Sequence, residues 1–260
     1  MEKKKSKLIW KILLALSLII IMICIIFLVN MYMPEKNDNE KYKNTTTTSE
    51  TVTEQEETTE EELVENPIDF DSLIEINEDV YAWITIPNTL VDYPVVQSAA
   101  DESDSFYLDH NIDKEYEFAG MIYSQKMNSK DFTDPVTVLY GHNMKNDSMF
   151  GSLHYFEDAD FFEENEFFYV YMPGHILTYQ VVSAYVYDNR HIMNTFNFLE
   201  ESELQEYIDS ILSPNSMTAN VREGASITTD DNILTLSTCN SNDEQRYLVQ
   251  GVLVDDELTK

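Results

Sequence analysis

Apolar and polar positions change their spacing twice along this chain. From Leu8 to Val29 the residues are almost all Leu, Ile, Met, Ala and Phe, interrupted by Lys11 and Ser17. From Glu35 to Asn66 the chain is Thr, Glu and Asn with few apolar side chains to bury. From Pro67 onward short apolar runs alternate with polar segments at the spacing of strands and short helices. Three regimes follow: a membrane-length apolar helix, a solvated stalk, and a folded domain. A helix rises about 1.5 Å per residue, so the first regime is long enough for a bilayer core of about 30 Å. The second lacks the burial that offsets chain entropy, and its acidic run keeps it extended.

Within 67–260 the pattern predicts many strands and few helices. Runs at Tyr81–Ile86, Val91–Val96, Ala119–Ser124, Val136–Tyr140, Phe167–Met172, Ile176–Tyr187, Ser226–Thr229, Ile233–Cys239 and Tyr247–Val254 read as strands, with Pro94 marking an edge or a bulge. Asp69–Asn77 and Asp158–Asn165 read as short helices. A longer one spans Leu199–Leu212, with Leu204, Ile208, Ile211 and Leu212 at helical spacing and Pro214 as its stop. The spacing suits a barrel or sandwich.

The last two strands fix a register. Joined through 240–245 as a hairpin, they set Cys239 opposite Arg246, Ser237 opposite Leu248 and Leu236 opposite Val249. Directly opposed residues share a face. Leu234, Leu236, Val249 and Leu253 then face the interior, while Cys239, Ser237 and Arg246 lie together on the outer surface.

Topology narrows the chemistry. Lys3, Lys4, Lys5, Lys7 and Lys11 precede or open the apolar span, which by the positive-inside rule keeps residues 1–7 cytoplasmic and exports everything past the 8–29 anchor: the 30–66 stalk and the 67–260 domain. A cleaved signal peptide is the competing reading, but its apolar core is shorter and is followed by small residues, whereas Asn30-Met-Tyr-Met-Pro stands here. With 48 Asp and Glu against 16 Lys and Arg, the net charge of −32 argues against a nucleic-acid partner and reads first as solubility.

Of the two cysteines, Cys24 lies in the apolar span, so Cys239 is an exported thiol with no partner in sequence. Exported thiols are normally paired, which points to a reactive one. Only a thiolate attacks well, and a neighbouring imidazolium or guanidinium favours it. Arg246 supplies the second, one of three arginines in the chain. Among five histidines, His142 stands where the strand Val136–Tyr140 runs through Gly141 into a polar loop, a position that projects into a groove. His110, His154, His175 and His191 sit in less suggestive settings, where surface or packing roles suffice.

These residues resemble the sortase family. Thr235-Leu-Ser-Thr-Cys239 looks like its TLxTC motif, Tyr140-Gly-His-Asn143 like its histidine motif, and Arg246 matches its arginine on the following strand. The helical opening before Tyr81-Ala-Trp-Ile, the Phe106-Tyr-Leu-Asp-His-Asn111 stretch and the long helix before the cysteine strand are similar to class B. The resemblance implies a closed eight-stranded barrel with short N-terminal helices and one longer helix before the cysteine strand. It implies a cysteine transpeptidase that cleaves a C-terminal sorting signal of surface proteins through a thioester and passes the acyl group to an amine of peptidoglycan or its lipid-linked precursor. Cys239 is then the nucleophile, His142 the acid and base, and Arg246 the oxyanion and backbone anchor, while Ser237, Thr238 and Leu108 line the substrate groove. No cofactor and no metal are implied.

Asn240 follows the cysteine where some class B members have an acid, and Asp243 and Glu244 read equally as solvated loop charges. The Cys239-to-Arg246 connection is also short for the family. Three other readings stay open: a pilin-polymerising sortase, a cysteine peptidase, and a non-catalytic surface module. The module leaves Cys239 without a purpose.

Overall fold

A computed structural model describes residues 63–239 and 244–260. The anchor, nearly all of the stalk, and Asn240 and Asp243 lie outside the described residues. No described helix is long and apolar enough to cross a membrane.

Nine strands are described: β1 (Val80–Thr85), β2 (Asp92–Val96), β3 (Ile122–Ser124), β4 (Val136–Tyr140), β5 (Phe167–Met172), β6 (His175–Asp188), β7 (Asn220–Val221), β8 (Ile233–Cys239) and β9 (Gln245–Leu258). They run in the order β5-β1-β2-β3-β4-β8-β9-β6-β7, and β5 also pairs with β6. That second pairing closes eight strands into a barrel and leaves the two-residue β7 outside it. Closure removes the unpaired edges that an open sheet would expose. The first and last described segments meet beside it: Val64 pairs with Thr259, and the Lys260 amide donates to the Val64 carbonyl at 3.0 Å.

The described helices are α1 (Phe70–Ile76), α2 (Ala159–Glu164), α3 (Ile192–Thr195) and α4 (Glu201–Leu212), with 3-10 turns at Phe106–Leu108 and Gly151–Glu157. Asp69 and Asp158 cap α1 and α2 by accepting from the Ser72 and Phe161 amides, so the acids that open the predicted ranges are the N-caps. α4 buries Leu204, Tyr207, Ile208 and Ile211, one face at helical spacing.

Three apolar clusters result. The barrel interior holds Leu234, Leu236, Val249 and the aromatic rings of Phe150, Phe156 and Phe168, with Leu253 packed against it. A second cluster joins α4 to the outer face of β4, β8 and β9 through Val136, Ile233, Leu248 and Val252. A third packs α1 and Tyr107 over Val80, Trp83 and Val96. Fully burying one such side chain is worth about 1.5–3 kcal/mol, so both outer coverings are part of the core.

Several expectations change. Ser226–Thr229 forms no strand; β7 takes that place further upstream, at Asn220–Val221. The Ala119–Ser124 run keeps only its last three residues as strand, because Gly120 at φ +57° turns the chain first. The face shared by Cys239, Ser237 and Arg246 does point away from the barrel interior, but α4 covers most of it, and Ser237 is buried. Periodicity distinguishes the two faces of a strand; it does not tell how much of the outer one a helix covers.

Candidate active site

The β8–β9 hairpin has the register expected from alternation: Cys239 opposite Arg246, Ser237 opposite Leu248, Leu236 opposite Val249. Behind it, Thr235 ties the strand to α4. Its hydroxyl lies 2.8 Å from that of Tyr207 and donates to Gln250 Oε1 at 2.7 Å, while Gln250 Nε2 donates to the Tyr185 and Tyr207 hydroxyls. All four residues are buried. A satisfied polar network of this kind fixes one packing of strand against helix. Towards Cys239 the apolar cover of α4 gives way to a groove.

The groove is a cavity of about 210 Å³ whose lining includes His142, Cys239 and Arg246. Cys239 is a free, half-buried cysteine. β4 runs parallel to β8 with Tyr140 beside Ser237, and the Gly141 amide donates to the Ser237 carbonyl at 3.2 Å. This ladder delivers His142 to the groove. Gly141 admits no side chain, since a Cβ there would lie 2.5 Å from Ile122 Cδ1 and 2.8 Å from the Phe150 ring.

His142 is held from two sides. Its Nε2 lies 2.8 Å from the Leu108 carbonyl, and its ring stacks on Phe118 with centroids 5.2 Å apart. A carbonyl only accepts, so Nε2 carries the proton and Nδ1 is left for exchange with a substrate. Leu108 is 40 % exposed at the groove rim, and its backbone is what touches His142. Its turn is anchored by Tyr107, which donates to Asp79 Oδ2 at 2.6 Å and accepts from Asn77.

Ser237 lines the groove beside the thiol. Thr238 borders it too, but its hydroxyl is spent on the Gly141 carbonyl at 2.8 Å, which follows from its place on the interior-facing side of β8. Tyr123 and Tyr140 complete one wall. Burial, reinforced by Cys239 and partly offset by Arg246, pushes the Tyr123 phenol up to about 12. It therefore stands beside the sulfur as a neutral group.

Two residues that the sequence does not single out approach Cys239 at its main-chain carbonyl. Asn143 Nδ2 donates to the Cys239 carbonyl at 2.9 Å, and His154 Nε2 lies 3.3 Å from the same oxygen. Asn143 was visible as the residue after His142. His154 reads from sequence as a surface or packing histidine; the signal for it is Glu157 three residues on, which a 3-10 turn brings to the same side. His191 also lines the groove, through its position before α3.

Comparison with known proteins agrees with this geometry. The Sortase domain model matches residues 84–254. Sortase B of Listeria monocytogenes serovar 1/2a is 34% identical over 188 residues, 70% of this chain and 72% of the relative. The X-ray structure of Clostridium perfringens sortase B superposes with a TM-score of 0.62 at 30% identity, covering 72% of this chain and 100% of that one. A Staphylococcus aureus sortase B–substrate complex gives 0.63 at 26% identity, covering 72% and 84%. The family's members are cysteine transpeptidases, and this chain belongs to the sortase family, in its class B branch.

Proposed function

We propose that Cys239 is the nucleophile of this transpeptidase, with His142 as acid and base and Arg246 as the anchor for the oxyanion and the substrate backbone. The observation that carries the reading is that one groove is lined by all three side chains. The substrate is the C-terminal sorting signal of an exported surface protein, and the acceptor is an amine of peptidoglycan or its lipid-linked precursor.

The steps follow from the atoms. The Cys239 thiolate adds to the carbonyl carbon of a Thr in the sorting signal, and the oxygen takes up the negative charge beside the Arg246 guanidinium. As the C–N bond breaks, Nδ1 of the His142 imidazolium gives its proton to the departing amine, leaving a thioester on Cys239. The acceptor amine then adds to the thioester, Nδ1 takes back a proton, and the thiolate leaves as the new amide forms. The Leu108 carbonyl holds Nε2–H throughout, so the same nitrogen serves both half-reactions. Ser237 and the Leu108 rim flank the bound peptide; Thr238 contributes through its position rather than its engaged hydroxyl.

The enzyme works outside the cell, tethered by the single-pass 8–29 helix with the N-terminus cytoplasmic. The lysine-flanked apolar run and the acidic 30–66 segment support this. Protease added to intact cells should remove an epitope at the C-terminus and spare one at the N-terminus; the reverse pattern contradicts the topology.

The chemistry is tested by incubating the chain with a library of Thr-containing peptides and hydroxylamine as the amine. Hydroxamate products that vanish in Cys239→Ala support transfer. Free acids alone indicate a peptidase, and no thiol-dependent product indicates a surface module.

A further inference from the structure

We propose that Asn143 is a positioning residue that holds the nucleophile through its main-chain carbonyl, with His154 and Glu157 orienting Asn143 in turn; the proposal rests on Cys239 being that nucleophile. The argument begins with the parallel β4–β8 ladder. Ser237 O takes the Gly141 amide, and carbonyls two residues apart on a strand point the same way. Cys239 O therefore points to the side where β4 would supply its next rung. β4 has ended by then: the Phe150 amide donates to the His142 carbonyl at 3.0 Å, and Asn143 is bridged to Met149. The Asn143 side chain supplies the missing donor, Nδ2 to Cys239 O at 2.9 Å.

A side-chain amide is a poor substitute for a ladder unless its orientation is fixed, and here it is. Nδ2 also lies 3.0 Å from His154 Nε2, and His154 Nδ1 lies 2.6 Å from Glu157 Oε1. The Glu157 carboxylate accepts the Nδ1 proton, which leaves the Nε2 lone pair facing Asn143. The two N–H bonds of Asn143 are then divided between His154 and Cys239 O. The His154 ring is itself seated on Tyr247, stacked at 4.7 Å between centroids, and Tyr247 lies opposite Thr238 on β9. The tetrapeptide Tyr140-Gly-His-Asn143 thus serves the thiol twice, with His142 in the groove and Asn143 behind the strand end.

Positioning predicts a specific pattern, because a displaced nucleophile loses rate on a bound peptide while its intrinsic reactivity survives. In the full-length chain, using the best peptide from the library above, Asn143→Asp replaces the donors with acceptors at constant size. It should lower kcat by about ten- to a hundredfold with KM within about twofold. Alkylation of Cys239 by iodoacetamide, followed by mass spectrometry of its peptide, should stay within about threefold, and the melting temperature should hold. His154→Phe keeps the stack and should lose rate; His154→Gln keeps a polar partner for Asn143 and should recover most of it. Unchanged kcat in both Asn143→Asp and His154→Phe overturns the proposal. So does a His154→Gln variant no better than His154→Phe, or a loss of kcat matched by loss of alkylation or of folding. Turnover surviving in Cys239→Ala overturns the underlying assignment instead.

Discussion

His142 donates from Nε2 to the carbonyl of Leu108, a residue 34 positions earlier, at 2.8 Å. The imidazole of the proposed acid and base is thus oriented by the backbone of another residue lining its groove, and whatever moves that backbone moves the imidazole.

Gly120 is where this is most easily tested. It sits at φ +57°, and a Cβ would lie 2.4 Å from both the Leu108 and Tyr107 carbonyl oxygens. Gly120→Ala therefore meets backbone strain and a backbone clash together, an expected cost of about 1–3 kcal/mol. The loss of transfer rate should exceed what the fraction unfolded explains. Thermal melts and kcat measured well below the melting temperature separate the two.

Thr235→Val removes one hydroxyl at nearly constant volume. Gln250 Oε1 then loses the donor seen here, in a site that is fully buried. An unsatisfied buried acceptor costs about 1–3 kcal/mol, and a urea titration should find a loss of that size with an unchanged slope.

Tyr247→Phe should run the other way. The Tyr247 hydroxyl is buried with no hydrogen-bond partner among the described residues, while its ring carries the stack with His154. Deleting the oxygen keeps the stack and removes an uncompensated desolvation, so stability should be unchanged or rise by about 1 kcal/mol. A clear drop would mean that the hydroxyl has a partner.

Stability should also fall at high pH. Burial raises the Tyr123 phenol to about 12, and it raises those of Tyr81, Tyr140, Tyr179, Tyr185, Tyr207 and Tyr247 as well. In the unfolded chain these titrate near about 10, so above that pH the unfolded state sheds protons that the folded state keeps. Their contribution is complete below pH about 10 and is lost as pH rises towards 12, at about 1.4 kcal/mol per tyrosine per pH unit. Melting temperatures from pH 7 to 11, read with tyrosinate absorbance, should show a flat region followed by a steep cooperative loss.

The sequence by itself determined most of the strands, though not Ser226–Thr229 or β7, together with the α4 helix and the β8–β9 register. Period-two alternation admits one pairing of Ile233–Cys239 with its partner once the turn is short, and that pairing is the one observed. Motif order also singled out Cys239, His142 and Arg246, which line one groove. Both kinds of information are local, or carried by residue types few in number.

Only the tertiary structure decided the rest. That α4 covers the outer face of β8 up to the groove, that Thr238 turns inward to Gly141, and that Leu108 acts through its carbonyl all depend on which distant segments meet. The same holds for Asn143, which donates to a backbone oxygen 96 residues away, and for His154, which orients it. A backbone acceptor has no letter in the sequence. Side chains that serve one therefore become recognisable only when closure of the barrel brings β4, the 3-10 turn at Gly151–Glu157 and the end of β8 together.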